Sequence, residues 1–179
     1  METVILFGSP HRDGNTIQIV NALSDGLKQK GYNVRMLYLN DLNIRPCQGC
    51  YACIPKGTCK INDDMKDIRK YMIDSDLIVY ATPVYWYGPS GQLKLAMDRG
   101  ISFLDNEYSS RLKGKKVVTL MTCAEDNTDT FQPALDMFKK TFDLLGLEYA
   151  GSVEAPGCVL GKKIKKEFIQ KVKKLAKAI

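Results

Sequence analysis

The sequence predicts an α/β fold, a five-stranded parallel sheet layered between helices, and three observations carry that prediction. Short apolar runs of strand length alternate five times with longer runs of helical spacing. The run from Leu77 to Ala81 is apolar almost throughout, the pattern of a strand buried on both faces of a parallel sheet. The polar loops rich in Gly, Ser, Asn and Pro follow strands, where ligands of such sheets sit. A chain of 179 residues with 45% hydrophobic content suits one domain, residues 1–179, with a sizeable core.

Thr3–Phe7 is the first strand, and it leads through Gly8–Thr16 into a helix over Thr16–Lys30 with Val20, Leu23 and Leu27 on one face and Gly31 at its C-cap. Asn33–Leu39 is the second strand. Asn40–Asp64 is a long irregular segment holding four cysteines, and loops of that length usually carry function. A helix over Asp63–Asp74 turns Met65, Ile68 and Met72 inward, and Leu77–Ala81 is the third strand. Thr82–Gly91 reads as a second long loop before a helix with Leu93, Lys94, Met97, Asp98 and Arg99. Lys116–Met121 is the fourth strand; it ends in the polar loop Thr122–Asn127, ahead of a helix with Phe131, Leu135, Phe138, Phe142 and Leu145 on one side. Leu147–Val153 is the fifth strand, and a lysine-rich helix follows.

The first loop, Gly-Ser-Pro-His-Arg-Asp-Gly-Asn-Thr, sits between a strand and a helix. Such a turn leaves backbone N–H groups unpaired at the positive end of the helix dipole. Ser9, Asn15 and Thr16 add donors and Arg12 a fixed charge, which together make a seat for a phosphate dianion. The Gly-Lys-Ser/Thr ending of a P-loop and the Gly-x-Gly-x-x-Gly of a dinucleotide fingerprint are both missing. A strand-to-helix turn also uses Gly, Ser and Asn for conformational reasons alone. His11, the single histidine, reads as an exposed loop residue without a partner.

Charge and composition narrow the class. The net charge of +6 resides in Gly161–Ile179, which holds eight lysines against Glu167 alone. Ile164, Phe168, Val172 and Leu175 recur there at helical spacing, so the lysines form the solvated side of an amphipathic helix, and nothing else points to nucleic acid. No apolar run approaches the roughly 20 residues of a membrane span, and a strand begins at once without a leader pattern. The expectation is a cytoplasmic protein, in which six cysteines serve as metal ligands or redox groups rather than structural disulfides.

Tyr85, Trp86 and Tyr87, flanked by Pro83, Gly88 and Pro89, suit a flat ring system; exposed aromatics of this kind also pack into subunit interfaces. With five strands the natural order is the flavodoxin-like 2-1-3-4-5, which gathers the loops after strands one, three and four at one edge. A phosphate seat and a planar-ring seat in that order point to FMN.

Gly8-Ser9-Pro10 with Gly14-Asn15-Thr16, Pro83-Val84-Tyr85-Trp86, and Leu93-Lys94 with Asp98-Arg99 resemble the NAD(P)H-dependent FMN reductase family of the flavodoxin-like superfamily, across nearly the whole chain. Cys47-x2-Cys50-x2-Cys53-x5-Cys59 followed by Asp63-Asp64-Met65 resembles its iron-sulfur flavoprotein branch. The resemblance implies FMN phosphate contacts from Ser9, Arg12, Asn15 and Thr16. It implies ring contacts from Pro83, Val84, Tyr85, Trp86, Tyr87 and Gly88 and, by position only, from Cys123 and Glu125. It also implies a homodimer or homotetramer with the flavin near a subunit interface.

Four thiolates within thirteen residues, in the cysteine-rich loop at 45–62, can wrap a 4Fe-4S cluster, which takes one cysteine per iron. Gly49 and Gly57 permit the turns, and Arg45, Lys56 and Lys60 offset the charge. Tetrahedral zinc and disulfides are the competing readings, and a loop devoted to dimer contact is another. Cys123 falls near the expected flavin, while Cys158 reads as a small buried or loop residue.

The expected function is an FMN-dependent oxidoreductase, with the chemistry at flavin N5 and no catalytic side chain required. Its partners are NAD(P)H or a small electron-carrier protein and a small-molecule acceptor. A flavin or quinone reductase without a cluster, a non-enzymatic flavodoxin-like electron carrier, and a metal-binding interaction protein are the alternatives.

Overall fold

Five long parallel strands form the sheet of the computed structural model, which describes residues 1–159 and 161–179. They are β1 (Glu2–Phe7), β2 (Asn33–Tyr38), β3 (Leu77–Tyr85), β5 (Lys116–Thr122) and β6 (Glu148–Ala155), and a two-residue β4 (Gly88–Pro89) pairs antiparallel with β3. The order is β2-β1-β3-β5-β6. With β4 set aside this is the expected 2-1-3-4-5; the sixth strand is the difference. The order reverses between β1 and β3, so the crevice outside their C-terminal ends is where such a sheet binds ligands.

The alternation of side chains along each strand divides the core in two. Ile5, Phe7, Val79, Val118 and Leu120 face α1 (Asn15–Gln29) and α5 (Lys166–Ala178), packing with Val20, Leu23, Leu27, Phe168 and Val172. Val4, Leu6, Ile78, Tyr80 and Met121 face the other way, against α2 (Met65–Asp74), α3 (Gly91–Asp98) and α4 (Gln132–Leu144). There Tyr80, Phe138 and Phe142 pack ring to ring with centroids 5.2–5.7 Å apart. On the first face, a Cβ at Gly26 would fall 2.7 Å from that of Ala176, so glycine is what lets α1 and α5 approach so closely.

The segment Thr82–Gly91 departs from the expected loop. β3 continues to Tyr85, where Thr82 and Pro83 pair with Met121 and Thr122 of β5, and the chain returns through β4 as a hairpin. Pro83, Gly88 and Pro89 read as breakers, but Pro83 loses little because it lies near the strand's end. The turn residues Trp86 and Tyr87 both have positive φ, 50° and 64°, which their types do not announce. Ile164 lies ahead of α5 rather than within it, and Ala176 is fully buried where Leu175 is only partly so. Among the described residues no helix is long and apolar enough to cross a membrane.

Candidate functional site

The first site begins at the end of β1. Gly8 donates its N–H to the carbonyl of Ala81 at 2.8 Å, and its own carbonyl accepts from Ser90 Oγ at 2.6 Å. A Cβ at Gly8 would stand 2.8 Å from both Leu93 Cβ and Ser90 Oγ, so only glycine allows the loop to lie this close to α3. Ser90 is wholly buried and also caps α3 by accepting the N–H of Leu93. Thus the loop that starts α1 is fixed to the loop that starts α3.

Gly14 occupies the N-cap of α1 and supplies no side-chain hydrogen bond, so the first N–H groups of a fifteen-residue helix lack a cap. They open on a cavity of about 240 Å³ lined by Ser9, His11, Gly14, Asn15, Thr16, Pro83, Val84, Tyr85, Thr122, Cys123, Ala124 and Cys158. Ser9 is nearly buried and accepts the N–H of His11 at 3.2 Å; Thr16 and Thr122 bring their hydroxyls to 2.7 Å; Asn15 Nδ2 donates to the carbonyl of Val159. An uncapped helix N-terminus among hydroxyl and amide groups fits a phosphate, and the wall from Pro83 to Tyr85 opposite Thr122–Ala124 adds apolar surface.

The structure therefore gathers Ser9, Asn15, Thr16, Pro83, Val84, Tyr85 and Cys123 at one cavity. Arg12 is not among its lining: its guanidinium pairs with Asp41 and lies 4.1 Å from the Tyr38 ring centroid, so its charge is already used. Glu125 also turns away, its carboxylate accepting from the Thr130 hydroxyl at 2.5 Å. Trp86 and Tyr87 form the hairpin tip and Gly88 begins β4, all three outside the lining, with Trp86 96% exposed. His11 is exposed as expected yet lines the cavity; Thr122 and Ala124 join it from the polar loop expected at this edge, and Cys158 as a residue that no local pattern marked.

The second site is built by the cysteine loop. Cys47, Cys50, Cys53 and Cys59 are free thiols around a cavity of about 190 Å³, shared with Lys60, Asp98, Arg99 and Ile101. Arg99 is buried here at 1% exposure. It makes a bidentate pair with the wholly buried Asp63, 2.7 and 3.1 Å, and its Nη1 also donates to the carbonyl of Arg45 at 2.8 Å. Asp63 accepts in addition the N–H groups of Arg45 and Met65. Burial opposes ionisation of Asp63, but these donors outweigh it and hold its carboxyl below the usual range.

The thiols differ in environment. Cys50, at the surface, is lowered by the Ala52 N–H and, to a smaller extent, by Lys60. Cys53 is raised by burial and by the neighbouring cysteines. Burial disfavours the Arg99 cation, yet Asp63 and the Cys59 sulfur beside it keep it charged. The Arg99 Nε has no hydrogen-bond partner among the described residues, a buried donor that a thiolate-bound group at Cys59 would answer. Among the described residues no three His, Cys, Asp or Glu side chains stand close enough to hold a single metal ion.

The chain is 37% identical over 99 residues to an iron-sulfur flavoprotein of Methanocaldococcus jannaschii, covering 55% of this chain and 51% of that one. It is 31% identical over 115 residues to an iron-sulfur flavoprotein of Archaeoglobus fulgidus, covering 64% and 51%. The chain thus spans about half the length of these curated relatives. In fold it is similar to an NAD(P)H:quinone oxidoreductase from Methanothermobacter marburgensis, with TM-score 0.76 and 15% identity over 98% of this chain and 94% of that one. Residues 1–147 match the NADPH-dependent FMN reductase family. The chain belongs to that family.

Proposed function

We propose that the chain is an FMN-dependent oxidoreductase that passes electrons between NAD(P)H or a small electron-carrier protein and a small-molecule acceptor, with the cysteine loop holding a 4Fe-4S cluster. The observation that carries the flavin reading is the uncapped N-terminus of α1, opening with Ser9, Asn15 and Thr16 on a cavity at the reversal of strand order. Ser9, Asn15, Thr16 and the first N–H groups of α1 hold the phosphate. Pro83, Val84 and Tyr85 face Thr122, Cys123 and Ala124 across the space for the ring. When bound, the flavin supplies hydride and one-electron chemistry, which leaves binding and orientation to the chain. Ser90 orients the seat by tying Gly8 to the start of α3.

Four free thiols line one cavity, the number of ligands that a 4Fe-4S cluster takes. Cys47, Cys50, Cys53 and Cys59 would each take one iron, with Arg99 and Lys60 facing the negative charge. Tyr51, Trp86, Tyr87 and Tyr108 all combine exposure with positive φ, a strained backbone that a covering surface would justify. A second copy of the chain is the covering surface we assign to them.

The test is an absorption spectrum of anaerobically purified protein with FMN, iron and acid-labile sulfide counted per chain. Flavin with about four irons is the expected result, one iron per thiolate. Flavin without iron or sulfide would leave a cluster-free FMN reductase, and no flavin after adding FMN would overturn the proposal.

A further inference from the structure

Cys123 and Cys158 are 35 positions apart and share no sequence motif, one following β5 and the other following β6. The parallel pairing of those strands brings them together. Cys123 donates its N–H to the carbonyl of Ala155 at 3.2 Å, and Cys158 donates its N–H to the carbonyl of Cys123 at 2.8 Å. Between them Gly157 has φ +67°, which returns the chain toward Cys123, and its own N–H reaches the carbonyl of Glu125 at 2.8 Å. A direct backbone hydrogen bond makes the two residues neighbours, the proximity that a disulfide between them requires.

We propose that Cys123 and Cys158 are a redox-active dithiol in the wall of the flavin seat, a two-electron centre separate from the four cysteines of the 45–62 loop. Both thiols are free and both line the 240 Å³ cavity; Cys123 Sγ donates to the carbonyl of Glu125 at 3.2 Å and Cys158 Sγ to that of Pro156 at 3.9 Å, so neither is tied to another side chain. In one direction the pair loses two electrons and two protons and gains one S–S bond, with oxidised flavin as the two-electron acceptor. In the other, the disulfide takes two electrons from reduced flavin and two protons, and the S–S bond breaks. This coupling rests on the flavin reading of the cavity.

The surroundings hold both thiols in the protonated form. Burial pushes the Cys158 thiol up to about 11, with the Cys123 thiol adding to the rise and Lys165 opposing it. Burial, with Glu125 and Asp126 adding to it, also raises Cys123. The thiolate is the form that reacts with an oxidant, so oxidation of the pair speeds up as pH rises. The disulfide would join the loops leaving β5 and β6 across one wall of the seat.

Two measurements test the pair. In the first, apo protein is oxidised with diamide at alkaline pH while folded, then denatured, alkylated and digested. A peptide pair joined through Cys123 and Cys158, two hydrogens lighter than the sum of the separate peptides, is expected. Recovery of both cysteines as separately alkylated peptides would overturn the proposal. In the second, FMN-loaded protein is titrated anaerobically with dithionite after the same oxidation. Wild type should take up two electrons per chain more than Cys158→Ser, and equal uptake would overturn the coupling to flavin. FMN binding is followed independently by quenching of flavin fluorescence, so a failed flavin seat is distinguished from a failed thiol pair, which the apo experiment reads without flavin.

Discussion

Replacing Asp63 by alanine should be among the most destabilising single changes to the surface-facing loops, because it strands a buried charge. Arg99 is 1% exposed and Asp63 wholly buried, so neither group can recover its lost interactions from water. Asp63 accepts both Arg99 bonds and the N–H groups of Arg45 and Met65, and without it all four bonds are lost. Breaking a buried pair on one side costs about 3–5 kcal/mol, a large fraction of the roughly 5–15 kcal/mol that holds a domain folded. Removing the exposed partner in the Lys165–Asp126 pair, by contrast, should cost no more than about 1 kcal/mol. The assay is urea unfolding at pH 7 of Asp63→Ala, Arg99→Met and the double variant. The double variant should be more stable than Asp63→Ala alone, since no unpaired charge remains. A loss below about 1 kcal/mol in Asp63→Ala, or a double variant that loses the sum of both single losses, would refute the reasoning. The pH dependence has a definite sign. The folded-state carboxyl is held below its unfolded value, so its contribution is present above about pH 4 and is lost as pH falls through the folded value. Asp63→Asn should therefore flatten the acid side of the stability profile.

Three further outcomes are expected. Ser90→Ala removes the cap of α3 and leaves the Gly8 carbonyl without its 2.6 Å donor; it should cost about 1–3 kcal/mol in urea unfolding and weaken FMN binding measured by fluorescence quenching. The double change Trp86→Asn with Tyr87→Gly places residues suited to positive φ in the hairpin turn and should stabilise the folded chain by about 1–2 kcal/mol. In sedimentation the same variant should shift toward monomer, and an unchanged assembly would remove the aromatic tip from the interface. Gly26→Ala improves helix propensity by about 1 kcal/mol, but its Cβ would meet that of Ala176 at 2.7 Å. Overpacking should win by about 1–3 kcal/mol, read as a lower melting temperature.

Much of the site was legible because it is local. Ser9, Asn15 and Thr16 belong to one turn whose direction is dictated by the strand before it and the helix after it, and the structure places all three on one cavity. The four loop cysteines lie within thirteen residues and line one cavity. Arg12 shows where local reading ends. Its position in the loop is right for a phosphate, but a long side chain takes the strongest partner within reach, which is Asp41 beyond β2, with the Tyr38 ring beneath it. Trp86 and Tyr87 show a different limit: a two-residue turn usually declares itself by Asn or Gly, and aromatics in left-handed backbone conceal the hairpin.

What the sequence determined by itself is what periodicity and chain proximity control: five strands, five helices, their alternation, the parallel order and the loops that meet beyond the strands. The lysine-rich terminal helix, read within Gly161–Ile179, spans Lys166–Ala178, so Ile164 precedes it while Phe168 and Val172 keep their buried face. The tertiary structure decided the pairings between residues distant in sequence. It placed Arg99 in a buried pair with Asp63 beside Cys59, although the two are 36 positions apart, and it set Cys158 against Cys123. The physical reason is that burial and hydrogen bonding of these groups depend on which strands lie side by side and in what register. A linear pattern of side chains specifies each element's inner face, but the neighbour that face will meet is specified only once the sheet is assembled.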